Sequence, residues 1–74
     1  MIEDGNHYDT LEAVARDAFR EIKSGKAGFV YNDWVLERTK ELLDEQDIKY
    51  ITKKIEDKGQ FLCYQINKII ERFR

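Results

Sequence analysis

Hydrophobic positions in the first 46 residues recur at intervals of three and four, the pattern of helices with one buried face. A first helix is predicted over residues 10–24. Asp9 and Glu12 have the spacing of a capping box that begins this helix, and Gly25 can adopt the left-handed conformation that ends it. Residues 1–8 are interpreted as a loose polar lead-in. The predicted buried face consists of Leu11, Val14, Ala15, Ala18, Phe19 and Ile22.

A second helix is predicted over residues 33–46, with Asn32 or Asp33 as its N-cap. Its apolar stripe is Val35, Leu36, Thr39, Leu42 and Leu43, with acidic and basic residues on the other side. Between the two helices, the run Phe29-Val30-Tyr31 is short, aromatic and β-branched, and it lies between a glycine and Asn32-Asp33. This composition favours a brief strand.

After residue 47 the apolar positions alternate, which predicts a β-hairpin with strands over 48–56 and 60–67. A two-residue turn at Lys58-Gly59 would set Ile55 opposite Leu62 and Ile51 opposite Ile66. The face towards the helices would then hold Ile51, Ile55, Leu62, Tyr64 and Ile66. The other face would hold Tyr50, Thr52, Lys54, Glu56, Phe61, Cys63, Gln65 and Asn67. A short closing helix is predicted after Asn67, with Ile69, Ile70 and Phe73 as its apolar positions.

The resulting fold class is α+β, with two main helices packed on one face of a small, mainly antiparallel sheet. The sheet would contain the C-terminal hairpin and the short third strand, because a hairpin alone is only marginally stable. With 74 residues, no proline and no linker-like segment, the chain is predicted to form a single domain over residues 1–74.

Candidate catalytic chemistry is sparse. The chain has one cysteine, Cys63, predicted to lie in the middle of a strand, and one histidine, His7, in the lead-in. A reactive thiol needs a neighbouring cation or helix N-terminus, and a metal site needs several converging ligands, so neither is predicted. The segment from Gly25 to Gly28 lacks the full phosphate-binding loop pattern. No pair of the 15 acidic residues stands out by spacing. We therefore expect no enzyme activity, no cofactor and no metal.

Localisation is predicted to be cytoplasmic. Small extracellular domains rely on paired cysteines, whereas this chain has a single thiol and no apolar run behind a basic start. Its longest apolar runs have three residues, as at Trp34-Val35-Leu36, which excludes a membrane span of about 20 residues.

Charge is distributed unevenly. Residues 1–46 carry eleven acidic and six basic side chains, a net −5, whereas residues 47–74 carry four acidic and seven basic ones, a net +3. The candidate residues for nucleic-acid binding are the hairpin lysines Lys49, Lys53, Lys54 and Lys58. Against this role, the whole chain is acidic, at −2.

The candidate protein-binding residues are the aromatic side chains Phe29, Tyr31 and Trp34, with Glu37 and Glu41 as a polar rim. Tyrosine and tryptophan anchor many interfaces, so an exposed Trp34 would favour a protein partner. The favoured function is a small non-catalytic protein-binding module, either an inhibitor or an adaptor. Its size and charge distribution are typical of proteins that phages and mobile elements encode against host enzymes.

Two alternatives to this function remain open. One is a nucleic-acid-binding regulator that uses the lysine-bearing hairpin. The other is a homodimer in which Tyr50, Phe61 and Cys63, predicted to share the outer sheet face, pack across a two-fold axis.

Overall fold

The computed structural model describes the backbone of residues 3–70 and the side chains of residues 10–70. The elements in chain order are α1 (Glu3–Lys23), β1 (Gly28–Val30), α2 (Asp33–Glu45), β2 (Tyr50–Asp57) and β3 (Gln60–Lys68). The three strands form one antiparallel sheet in the order β1-β3-β2. The predicted α+β fold, with a third strand beside the C-terminal hairpin, is confirmed.

The two ends of α1 differ in how well local sequence determines them. The helix begins at Glu3, so the predicted start at residue 10 is wrong, and residues 3–8 are helical rather than a loose lead-in. Asp9 lies inside the helix, so it is not the residue that precedes the first turn. The other end is as predicted: Gly25 has a φ of 104°, and its N–H donates to the Ile22 carbonyl at 3.0 Å.

The second helix is confirmed together with its cap. The side-chain oxygen of Asn32 accepts a hydrogen bond from the Val35 N–H at 2.8 Å, which satisfies one of the free amides of the first turn. The predicted stripe is the buried face of α2, namely Val35, Leu36, Thr39, Leu42 and Leu43.

The core lies between the helices and one face of the sheet. The sheet contributes Val30 and Ile66, and Tyr50 and Tyr64 pack against them. A close approach of β1 to α1 requires glycine at position 28, since a Cβ there would lie 2.7 Å from the Ile22 side chain. The buried cluster is Ala15, Ala18, Ile22, Val30, Val35, Leu36, Leu42, Leu43 and Ile66. Neither helix, over the residues described, is long and apolar enough to cross a membrane.

A group of charged side chains joins α1 to α2. The Arg38 guanidinium donates to both carboxylate oxygens of Glu12, at 2.8 and 2.9 Å, and also to Glu41 at 2.9 Å. Arg16 donates to Glu12 as well, at 2.8 Å. The hydrogen bonds that Arg38 donates lower the pKa of Glu12 below its ordinary value, and their acceptance by the two glutamates raises the pKa of Arg38. Glu12 therefore joins the two helices and does not form the predicted capping box.

The hairpin contains an irregularity that the sequence does not reveal. The two-residue turn at Lys58-Gly59 is present, with Asp57 opposite Gln60 and Glu56 opposite Phe61. Beyond this point a β-bulge shifts the pairing by one residue, so that Ile55 lies opposite Cys63 rather than Leu62. All later pairs are shifted in the same way, and Thr52 rather than Ile51 lies opposite Ile66.

The bulge reverses the two faces of β2. Ile66 and Tyr64 face the helices, as predicted, but Ile51 and Ile55 lie on the opposite face. Phe61 contacts the ring of Tyr64, with centroids 4.9 Å apart, on the helix side. Leu62 is the extra residue of the bulge, has no partner on β2 and is 50% exposed, so it lies outside the core as well. The prediction that Ile51, Ile55 and Leu62 are core residues is therefore wrong. The physical reason is that residues distant in sequence pack together on the helix side. Counting alternate positions along the hairpin does not take these contacts into account.

The predicted C-terminal helix is not seen in the residues described, which end at position 70. β3 continues to Lys68, and the Ile69 N–H donates to the Lys49 carbonyl at 2.8 Å, so the chain remains alongside the start of the hairpin. Asn67 lies in the strand and accepts a hydrogen bond from Gln65, so it does not cap a helix. The predicted apolar position Phe73 lies outside the described residues.

Candidate functional site

No element among the described residues covers the face of the sheet away from the helices, and we call it the open sheet face. Its apolar residues are Phe29, Ile51, Ile55 and Cys63, and its polar residues are Lys53, Gln65 and Asn67. The bulge residue Leu62 is next to Cys63 in β3. Phe29 is 45% exposed, Ile51 59% and Leu62 50%. Phe29 and Ile51, both large and apolar, are therefore exposed on this one face, and exposed apolar patches mark many binding surfaces.

Strand pairing determines how these side chains are arranged. Phe29, Gln65 and Lys53 lie side by side across the three strands. Ile51 lies opposite Asn67, and Ile55 lies opposite the buried Cys63. The Gln65 side-chain amide donates to the Asn67 side-chain oxygen at 2.8 Å, so a fixed polar pair lies among apolar residues. Such a surface offers both apolar contact area and directional hydrogen bonding.

The predicted aromatic patch is divided between two surfaces. Phe29 lies on the open sheet face, and the exposed Tyr31 follows directly after β1. Trp34 lies instead in the first turn of α2, and its 40% exposure meets the condition stated for a protein partner. It lines a shallow concavity of about 380 Å³ together with Asp33, Glu37, Arg38 and Glu41. The structure thus brings Trp34, Glu37 and Glu41 together, but on the helix layer.

The charges around Trp34 already have partners within the chain. Arg38 is bound to Glu12 and Glu41, as described above, and Glu37 lies 3.6 Å from the Lys40 ammonium. These contacts hold α1 on α2 and stabilise the helix surface. A partner that used this concavity would have to compete with them, which the open sheet face does not require.

The four candidate lysines do not form one surface. Lys53 lies on the open sheet face, whereas Lys54 lies on the opposite face of β2, 3.4 Å from the Glu56 carboxylate. Lys58 lies in the turn, with a φ of 53°, and Lys49 precedes β2. All four are exposed, but they point in different directions and are interspersed with acidic residues.

No catalytic role is predicted for Cys63 or His7, and the structure describes the side chain of Cys63 alone. Cys63 is buried in β3, as expected for a structural thiol. His7 falls within α1, but its side chain lies outside the described part of the chain. Among the side chains described, no group of three or more His, Cys, Asp or Glu residues could hold a metal ion.

The predicted outer-face trio for a homodimer does not share a face. Tyr50 and Phe61 lie on the helix side, and only Cys63 lies on the open sheet face. Burial, with a smaller contribution from Asp44, raises the pKa of Tyr50, in keeping with its position beside the helices. The bulge is the reason for this separation.

Sequence reasoning missed Ile51 on the open sheet face and the bulge residue Leu62, the two most exposed apolar residues within the strands. No sequence signal identifies them, because their exposure depends on the bulge. Comparison with known proteins gives no relative for this chain: no family model, no curated protein and no solved structure matches it.

Proposed function

We propose that this chain is a small non-catalytic protein-binding module, an inhibitor or an adaptor, that contacts its partner through the open sheet face. The observation that carries the proposal is the exposure of Phe29 and Ile51 on a sheet face that no described element covers, together with the exposure of the neighbouring bulge residue Leu62. A two-layer domain normally solvates this second face with polar side chains. Here exposed apolar side chains share it with Lys53, Gln65 and Asn67, and burial of the apolar area against a partner would release its hydration water.

The size of the contribution can be estimated per residue. Fewer than about 30% of interface residues cost more than about 1 kcal/mol when they are truncated, and these residues cluster near the centre, where the proposal puts Ile51 and Leu62. Loss of both Ile51 and Leu62 should therefore weaken binding by a factor of about 30 or more, since 1.4 kcal/mol corresponds to a tenfold change. Both side chains are at least half exposed in the free chain, so their replacement should leave the fold intact.

Capture of partners with three versions of the tagged chain tests this proposal. The first is unaltered, and the second carries Ile51→Asp on the open sheet face with Leu62→Asp in the bulge. The matched control carries Val14→Asp with Trp34→Asp, which replaces two exposed apolar residues elsewhere and changes the net charge equally. Circular dichroism verifies that all three are folded. Captured proteins are identified, purified and titrated by calorimetry.

The expected result is a protein that binds the unaltered chain and the control but not the open-face variant. A protein lost from the control and retained by the open-face variant would place the interface at Val14 or Trp34 and contradict the proposal. Binding that is equal in all three versions would contradict it as well.

Nucleic-acid binding receives less support from the geometry, because the hairpin lysines point in different directions. The narrower assignment to a phage or mobile-element inhibitor depends on size and charge alone. Nucleic-acid binding has a direct test at low salt, where electrostatic contacts are strongest. Binding to mixed DNA or RNA that is lost on Lys54→Glu with Lys58→Glu would support the regulator instead. No binding at low salt would exclude it.

A further inference from the structure

β2 forms a free edge of the sheet. The strand order β1-β3-β2 leaves one side of β2 without a partner strand among the described residues, and six of its eight residues are exposed. An edge of this length offers a row of backbone N–H and C=O groups to another strand. Proteins commonly protect such edges with lysine, and Lys53 and Lys54 lie in the middle of this one.

The second half of β2 has a charge pattern that is complementary to an antiparallel copy of the same segment. It reads Lys53-Lys54-Ile55-Glu56-Asp57, with two bases before the isoleucine and two acids after it. If two copies pair antiparallel with a two-fold axis at Ile55, Lys53 lies opposite Asp57 of the second copy and Lys54 lies opposite Glu56. All four charged pairs have opposite signs, an arrangement that stabilises neighbouring strands.

Other central registers are disfavoured by the same residues. An axis at Lys53 or at Lys54 places that lysine opposite its own copy, and an axis between them places Lys53 opposite Lys54. Like charges directly opposite one another destabilise a strand pair. The lysines therefore oppose nonspecific edge pairing and permit the register centred on Ile55.

We propose that two copies of the chain associate through their β2 edges, antiparallel and with the two-fold axis at Ile55, into a continuous six-stranded sheet. Such an interface is self-complementary, as two-fold symmetry requires. Ile55 of each copy, on the open sheet face, lies at the axis. The contact between Lys54 and Glu56 within one chain is exposed and weak, so it exchanges readily for the contact between copies.

This inference goes beyond the proposed function, because it uses the strand edge rather than the sheet face. The proposed dimer and the proposed binding surface are independent, so one can be wrong while the other is right. The open faces of the two copies would lie side by side in the six-stranded sheet and leave Ile51 accessible to another protein.

Paired charge reversals give the sharpest test, with sedimentation equilibrium as the assay. The unaltered chain should form dimers. Lys53→Glu with Lys54→Glu, and separately Glu56→Lys with Asp57→Lys, should each raise the dimer dissociation constant at least about tenfold, because every cross-strand pair becomes repulsive. An equimolar mixture of the two variants should form a heterodimer, since each introduced charge then faces its opposite. A variant that had lost its fold could not give this recovery.

The matched control is Glu37→Lys with Glu45→Lys, two exposed positions on α2 that change net charge by the same amount as Glu56→Lys with Asp57→Lys. It should still form dimers. A monomeric unaltered chain at millimolar concentration, or a mixture that remains monomeric, would overturn the proposal.

Disulfide crosslinking tests the register itself. In a Cys63→Ser background, Ile55→Cys should form a disulfide-linked dimer on mild oxidation, because opposed residues at the axis have Cα atoms about 4.5–5.5 Å apart. Ile51→Cys should not, since positions 51 of the two copies would be about 26 Å apart at about 3.3 Å per residue. Efficient crosslinking at position 51 with none at 55 would contradict the register.

Discussion

Because of the bulge in the hairpin, one conservative substitution should change the stability of the fold by different amounts at three positions. Isoleucine occurs at Ile66, which is 0% exposed and faces the helices, at the half-buried Ile55, and at Ile51, which is 59% exposed on the open sheet face. Substitution by valine removes the same single methylene at each position. Any difference in its effect therefore reports the environment of the side chain.

The expected losses follow from burial. At Ile66 the change removes a fully buried methylene and leaves a small cavity, which should lower the free energy of unfolding by about 0.5–1.5 kcal/mol. At Ile51 the loss should stay within about 0.5 kcal/mol, as at other surface positions. Ile55→Val should fall between these values. A domain of this size has only about 4–11 kcal/mol of stability in total, so the difference is measurable.

Urea denaturation followed by circular dichroism measures the three values, and thermal unfolding provides a check. A loss of 1 kcal/mol should lower the melting temperature by about 4–8 °C in a domain this small. A regular hairpin without the bulge would place Ile51 opposite Ile66 on the core face, so both substitutions would cost about the same. Equal losses at these two positions would therefore refute the observed register.

Three further substitutions test α2 and its contact with α1. Thr39→Val removes a buried hydroxyl without a hydrogen-bond partner among the described residues. It should raise the free energy of unfolding, measured by urea denaturation, by about 1 kcal/mol, and a lower free energy of unfolding would contradict this. Asn32→Ala should cost about 0.5–2 kcal/mol and Asn32→Asp much less, whereas equal losses would exclude the cap. Arg38 lowers the pKa of Glu12, so the ionised Glu12 side chain stabilises the fold fully above about pH 4.5, the ordinary pKa of a glutamate. This stabilisation is lost as the pH falls through the lowered pKa of Glu12. Glu12→Gln should reduce this acid dependence of the melting temperature, and an unchanged profile would contradict the assignment.

Local signals in the sequence were enough to predict much of the fold. The Asn32 cap and the apolar stripe of α2 lie within a few residues of each other, and the Lys58-Gly59 turn depends on local backbone preferences. The start of α1 was not predictable in this way. Asp9 is a good cap for a helix that begins there, but polar residues from Glu3 onwards can extend the helix past it without changing the apolar pattern.

The candidate site was predicted only in part because it depends on contacts between distant residues. The exposure of Phe29 follows from a short strand between two buried neighbours, which the sequence indicates. The exposure of Ile51 and Leu62 follows from the bulge, and the contact of Phe61 with Tyr64 becomes apparent only in three dimensions. For the same reason Trp34, close to Phe29 in sequence, lies on a different surface.

Site-specific photocrosslinking tests most directly whether the open sheet face binds a protein. Benzoylphenylalanine replaces Ile51 in one version of the chain and Trp34 in another, and each is irradiated in cells of the source organism. We expect a nuclease-resistant adduct with another protein from position 51 and none from position 34. Adducts from position 34 alone, or nuclease-sensitive adducts from position 51, would contradict the assignment of the open sheet face as a protein-binding surface.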